Sequence, residues 1–211
     1  MPKEYEYKLK FDDDMTEEYL RKKLKKLKAK HHKPIIFQIK TFNHPVEKDI
    51  YIRLRDEGYK KTLTIKKNLT AKFVDEYEII IDNIDTAEQM LLIFGCKIKY
   101  EAEKIREIYK YNNIEIVLDS LPGLPTYFEI EAPSLKELNN FCKELNIDII
   151  KHAGDSITYD DIYGLDKNRN ISGNLTFNNA KNMFLPIIKK NKKLFISILK
   201  NQKELIKLLN K

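Results

Sequence analysis

The sequence predicts an α+β protein built on about eight antiparallel strands with helices against their apolar side. Three observations predict it. Polar and apolar residues alternate over 4–10, 35–42, 50–56, 60–66, 74–81, 103–110, 113–119 and 127–131, the period-two pattern of half-buried strands. Gly58 and the pair Asn112-Asn113 supply turn chemistry between consecutive strands, which favours hairpins. Three or four helical stretches interrupt the series.

Taken in order, the first strand is followed by a helix over 15–30, with Met15, Tyr19, Leu24 and Leu27 on one side and lysines elsewhere. Thr16 stands where a side-chain cap belongs. Four strands follow, then a helix over 85–95 that ends at Gly95, a C′ glycine. After three more strands, Ser134-Leu135-Lys136-Glu137 reads as a capping box that opens a helix to about residue 145. Residues 155–163 read as a short fourth helix. The Asn-rich stretch 166–182 reads as a linker or a poorly packed segment. Residues 183–210 then read helical, with Phe184, Ile187, Ile188, Phe195, Leu199, Leu205, Ile206 and Leu209 among lysines.

Composition narrows the class. The chain has 211 residues, 42% hydrophobic and 34% charged. That is enough to bury a core, too apolar for disorder and too charged for a membrane protein. No apolar run is long enough to predict a spanning helix, and the charged start Met1-Pro2-Lys3-Glu4 is unlike a secretory leader. Cys96 and Cys142 form no disulfide framework or metal-ligand spacing, so the expected compartment is a reduced cytoplasm. The net charge of +7 points first toward a nucleic acid, but its position along the chain changes that. Residues 1–164 carry 28 Lys+Arg against 30 Asp+Glu, a net of −2; residues 165–211 carry 11 against 2, a net of +9. Only five arginines stand among 34 lysines, which marks each arginine for a bidentate task.

The strands sort their charge. Glu4, Glu6 and Lys8 share one face against Tyr5, Tyr7 and Leu9; Arg53 and Arg55 oppose Ile52 and Leu54. Thr62, Thr64 and Lys66 oppose Leu63 and Ile65; Glu76 and Glu78 oppose Tyr77 and Ile79. Lys104 and Arg106 oppose Ile105; Glu115 and Asp119 oppose Ile114, Ile116 and Leu118; Glu129 and Glu131 oppose Phe128 and Ile130. One explanation is a twisted sheet with a solvated outer face. Yet neighbouring like charges destabilise a sheet, and three of these faces carry a Glu-x-Glu pair. The other explanation is that these faces converge on a lumen, where carboxylates take hard divalent cations and Arg and Lys grip phosphate oxygens. A barrel of eight strands encloses room for one small ligand.

These residues, in this order, resemble the CYTH family, the triphosphate tunnel metalloenzymes. Glu4-Tyr5-Glu6-Tyr7-Lys8 matches the Glu-x-Glu-x-Lys hallmark of its first strand. Tyr51-Ile52-Arg53-Leu54-Arg55 resembles its Arg-x-Arg strand, Leu63-Thr64-Ile65-Lys66 the lysine strand that follows, and Glu76-Tyr77-Glu78 its central Glu-x-Glu. Lys104-Ile105-Arg106 matches the second basic pair, Ile116-Val117-Leu118-Asp119 supplies the aspartate, and Leu124 through Phe128-Glu129-Ile130-Glu131 resembles the last Glu-x-Glu strand. Residues 156–163 resemble its C-terminal Ser-Tyr…Leu helix. The resemblance covers roughly 1–164, leaving 165–211 as a basic, helical extension. Departures are Val74-Asp75 before the central pair, Pro125 in the Gly-Leu-Gly turn, and Lys40 where cyclase-like members carry an aspartate in a strand similar to Gln38-Ile39-Lys40-Thr41-Phe42-Asn43.

The resemblance implies an eight-stranded antiparallel tunnel with helices outside that binds a triphosphate with Mg²⁺ or Mn²⁺. It implies Glu4, Glu6, Glu129 and Glu131 as metal ligands helped by Asp119, Glu76 and Glu78, with Glu4, Glu6, Lys8 and Asp119 catalytic. Lys8, Arg53, Arg55, Lys66, Lys104 and Arg106 would hold phosphates. Glu115, Lys110 and Lys151 fall outside the matched positions. His31-His32 and His44 sit beside prolines in expected loops, His152 is a weak candidate, and the cysteines are expected buried. Most aromatic residues are expected on the outer, core-facing side.

The leading expectation is a metal-dependent phosphohydrolase of inorganic triphosphate, thiamine triphosphate or a nucleoside triphosphate. The alternatives are a class IV-type adenylyl cyclase, an RNA 5′-triphosphatase and a non-catalytic polyphosphate-binding module. The tail would cover the barrel or a second subunit in a homodimer, lie on a membrane surface, or supply the only nucleic-acid contact.

Overall fold

The structure, a computed structural model, describes residues 5–70, 73–152, 158–165 and 173–209. In chain order it contains β1 (Tyr5–Lys10), α1 (Glu17–Lys26), β2 (Lys30–Asn43), β3 (Ile50–Asp56), β4 (Lys61–Thr70), β5 (Phe73–Ile80), α2 (Ile84–Ile93), β6 (Lys97–Tyr111) and β7 (Ile114–Ser120). There follow β8 (Tyr127–Ala132), α3 (Leu135–Glu144), α4 (Ile149–His152), α5 (Tyr159–Tyr163), β9 (Gly173–Leu175), α6 (Ala180–Phe184) and α7 (Lys192–Leu209).

The α+β class and the eight antiparallel strands are as expected. The strands pair in the order β1-β8-β7-β6-β2-β3-β4-β5, and β9 adds to β6 in parallel. No β1–β5 pairing closes the ladder among the described residues. The charged face is enclosed all the same. Phe37 pairs in register with Lys104, Thr62 with Arg55, Thr64 with Arg53, and Asp119 with Arg106, which puts them on that face. Yet Phe37 is only 1% exposed, and Thr62, Thr64 and Asp119 are 0% exposed. A flat sheet would leave these side chains to solvent; a curled one shields them.

The apolar face carries the core. Leu9, Ile116, Phe128 and Ile130 meet Leu20 and Leu24 of α1 and Phe141 of α3. Phe42, Ile52 and Leu54 meet Ala87 and Leu91 of α2. The expected caps form: Thr16 Oγ1 accepts the Tyr19 N–H at 3.1 Å and Ser134 Oγ the Glu137 N–H at 3.2 Å. Alanine at Thr16 is expected to cost about 1 kcal/mol of stability, read from a chemical denaturation midpoint.

Four local expectations are corrected. The first helix stops at Lys26, because Lys28 turns the chain at φ +58° and β2 starts at Lys30. His31 and His32 therefore lie in a strand, not a loop; His31 Nε2 lies 2.8 Å from Glu107 and its ring stacks on Tyr109. The stretch 166–182 is no loose linker where it is described, since β9 pairs with Tyr100–Ala102 of β6 and Leu175 and Phe177 are buried. The helix expected over 183–210 is two helices, interrupted around Pro186, whose ring lacks the N–H that a helix interior needs. Phe177, Ala180, Phe184, Ile188, Phe195 and Leu199 share a core with Leu124, Tyr159 and Tyr163, so the tail packs into the body. No helix among the described residues is long and apolar enough to cross a membrane.

Candidate functional site

Sheet register brings the sorted charges into two groups. At one end, β1 and β8 set Glu6 opposite Glu131 and Lys8 opposite Glu129, and β7 sets Glu115 opposite Glu131. Carboxylate oxygens of Glu6, Glu129 and Glu131 lie within 4.8 Å of one another. Burial, followed by the charges of Glu6 and Glu115, pushes the Glu131 carboxyl up to about 7. Lys8 stands between Glu6 and Glu129, 3.4 Å from each. Burial works against its charge, but the two carboxylates outweigh it and hold its pKa above the ordinary lysine value.

Next to this group, Asp119 accepts from Lys104 Nζ at 2.7 Å and from Arg106 Nε at 2.8 Å, and Arg106 also reaches Glu129 at 3.2 Å. Although burial opposes ionisation, these two cations hold the Asp119 carboxyl below its usual range. Burial pulls the Lys104 ammonium down against the attraction of Asp119.

The far end is basic and paired differently. Arg55 reaches Glu57 at 2.7 Å and Glu78 at 3.4 Å; Arg53 reaches Thr64 at 3.3 Å and Glu78 at 3.8 Å; Lys66 reaches Glu76 at 2.8 Å. Burial, then neighbouring Arg53, lowers the Arg55 pKa. Phe37 floors this region: the guanidinium carbons of Arg55 and Arg106 and the Lys104 ammonium stand 5.7, 5.5 and 5.9 Å from its ring centroid, within cation–π range. Arg53 Nε, Arg55 Nε and Thr62 Oγ1 are buried without a hydrogen-bond partner. Such orphaned donors are costly unless something accepts from them, and phosphate oxygens are acceptors of the right kind.

The structure thus divides the expected ligands. Glu6, Glu129 and Glu131 come together. Glu76 and Glu78 lie outside that group, bound to Arg53, Arg55 and Lys66, and Asp119 is turned to Lys104 and Arg106 instead. Glu4 lies outside the described residues. Lys40 is on the other face, paired with Glu88 of α2 and 3.5 Å from Glu101. Lys110 pairs with Glu115 at 3.1 Å and Lys151 with Asp12 at 2.8 Å. His152 is buried 3.7 Å from Asp12, and both cysteines are free and buried.

Sequence reasoning missed Phe37, Glu57 and Lys60. Phe37 gave a misleading signal: it alternates with Gln38 and Lys40, and only its register opposite Lys104 puts it on the charged face. Glu57, 2% exposed, receives Arg55 and stands 3.7 Å from Lys60; it sits past the strand end, where alternation says nothing.

The acidic group suits a hard divalent cation. Three carboxylates converge, and one of them is pushed toward its neutral form by its surroundings, so added positive charge has a place to act.

A family model described as CYTH domain matches residues 2–155. A protein of Methanocaldococcus jannaschii, provisionally named an adenylate cyclase, is 31% identical over 149 residues, covering 67% of this chain and 83% of its own. Among solved structures, a Pyrococcus horikoshii OT3 protein is similar with TM-score 0.58 and 21% identity, over 71% of this chain and 94% of its own. One from Vibrio parahaemolyticus, also provisionally named an adenylate cyclase, has TM-score 0.56 and 16% identity, over 72% and 94%. At these identities the two structures speak for the fold.

Proposed function

Because the chain belongs to the CYTH domain family, we propose that it is a divalent-metal-dependent phosphohydrolase acting on a small triphosphate held on its enclosed charged face. The observation that carries this reading is the pairing on one face of a converged carboxylate group with two arginines whose buried Nε–H groups lack acceptors.

Glu6, Glu129 and Glu131 are the residues that would hold Mg²⁺ or Mn²⁺. The ion would supply Lewis-acid neutralisation of charge on phosphoryl oxygens. The rest falls to the chain. Phosphoryl transfer needs positioning and charge stabilisation more than covalent help. Arg53 and Arg55 offer planar donors to two oxygens at once, and Lys66 adds a point charge at the β4–β5 side. Lys104 and Arg106, aimed by Asp119, carry positive charge toward the acidic end. Lys8, held between Glu6 and Glu129, would put a positive charge beside the metal carboxylates, where charge builds on the transferred phosphoryl. Phe37 excludes water beneath them and keeps the cations in a low-dielectric setting, where they act most strongly.

The test is phosphate release from tripolyphosphate, thiamine triphosphate and ATP with each of Mg²⁺ and Mn²⁺. Release from at least one is expected, and none from any would sink the hydrolase. A second reading, an adenylyl cyclase, is favoured by the name of the Methanocaldococcus jannaschii relative. It differs in the phosphorus that meets the nucleophile, and cyclic AMP formed from ATP and Mn²⁺ would establish it.

A further inference from the structure

The loop 121–126 joins the two strands that carry Asp119, Glu129 and Glu131, and its backbone is held by residues from near and beyond the C-terminal end of the family match. The side-chain oxygen of Gln202, on α7, accepts the Gly123 N–H at 2.7 Å. Its nitrogen donates to the Leu121 carbonyl at 2.9 Å and the Leu124 carbonyl at 3.2 Å. Tyr159 donates to the Pro122 carbonyl at 2.7 Å, and Tyr163 donates to that of Gly123. The Phe195 ring lies so close that a Cβ on Gly123, which has φ +78°, would fall 2.2 Å from it. Four consecutive loop residues thus receive side-chain bonds from α5 and α7. A glutamine buried this deeply on an otherwise apolar helix face costs free energy unless its amide is satisfied; here all of its bonds go to this loop.

The loop in turn closes the site hairpin. Ser120 and Thr126 hydroxyls meet at 2.9 Å across its base, and Asp119 pairs in register with Tyr127. Asp119 is the acceptor that aims Lys104 and Arg106. Within this six-residue connection the Leu124 N–H reaches the Leu121 carbonyl at 3.0 Å, a turn through Pro122 and Gly123; the side chains of α5 and α7 supply the further bonds to its backbone.

We propose that Gln202 is a positioning residue for the phosphate-binding face: it fixes loop 121–126, and through it Asp119, Lys104 and Arg106. The extension is in this respect part of the site. The inference rests on the phosphate-binding reading of that face.

The test uses the full chain with Gln202→Met, which keeps length and volume and removes the amide, and Gln202→Glu, which keeps an acceptor for Gly123 and loses both donors. Titration calorimetry with inorganic tripolyphosphate should show binding weakened roughly 3- to 30-fold in Gln202→Met and less in Gln202→Glu. Amide hydrogen exchange should quicken over 114–132 and stay unchanged in α1 and α2. Unchanged exchange over 114–132, or exchange quickened throughout with unchanged tripolyphosphate affinity, would overturn the proposal and leave Gln202 a packing residue. If the wild type does not bind tripolyphosphate, inorganic triphosphate is excluded as the ligand of that face, and the exchange pattern alone decides the clamp. Should Gln202→Met not fold, Tyr163→Phe removes one loop bond and is read the same way, with a smaller loss.

Discussion

Alanine at Asp119 is expected to destabilise the protein by about 3–5 kcal/mol. A urea midpoint that falls while the slope stays constant would show it. The carboxylate is 0% exposed and takes both Lys104 and Arg106, whose side chains are only 13% exposed. Removing it leaves two cations in an enclosed space. Arg106 keeps Glu129 at 3.2 Å, but Lys104 loses its hydrogen-bonded ion-pair partner. A buried pair adds little beyond a well-packed apolar substitute, whereas breaking one by removing a single partner is costly, and the latter effect decides here. The pH dependence has a definite sign. Asp119 has a depressed folded-state pKa, so its contribution is present above the ordinary aspartate value, near 3.9, and is lost as pH falls through the folded value. The alanine variant should lack that acid-limb loss. A cost below about 1 kcal/mol would mean that Asp119 does not hold the two cations.

The strands were legible because a half-buried strand must alternate, and this chain alternates with large apolar residues on one side. The charged face was legible for the same reason. What local pattern cannot carry is register between strands distant in sequence. Glu76-Tyr77-Glu78 and Glu129-Ile130-Glu131 look alike in the chain, yet β4 sets Lys66 opposite Glu76 while β1 sets Glu6 opposite Glu131. One pair becomes a partner for cations and the other joins an acidic group. His31 was misplaced because its partner, Glu107, is 76 positions away. The three-residue β9 exists because Tyr100–Ala102 of β6 extend past the β7 pairing, which starts at Ile105, and Asn-rich flanks hid it. Pro186 was visible, but the apolar spacing around it looked continuous. Gln202 had no signal at all: a single glutamine among lysines reveals its role only through the loop it binds.

Glutamine at Glu131 is expected to weaken Mn²⁺ binding by at least about tenfold and to remove most of its pH dependence. In the wild type, burial and the facing Glu6 and Glu115 raise this carboxyl to about 7. A cation must displace that proton, so affinity should climb about tenfold per pH unit up to about pH 7 and level off above it. Arg106 pulls the other way, but burial and three carboxylates outweigh it. Without metal the same shift acts against folding. The unfolded chain ionises Glu131 near 4.5 and the folded one only near 7, so the folded state holds more protons in that window and stability falls as pH rises through it. The variant therefore makes opposite predictions for two measurements at pH 8. It should raise the thermal midpoint of the metal-free protein, by relieving an unfavourable charge, and it should lower the gain in midpoint that Mn²⁺ brings. An ordinary surface glutamate would show neither effect, and a carboxylate serving only the phosphate-binding cations would show a lowered metal-free midpoint instead. Only a residue that is strained when empty and relieved by a cation gives the crossed result, and that property would separate a metal site from a solvated acidic edge.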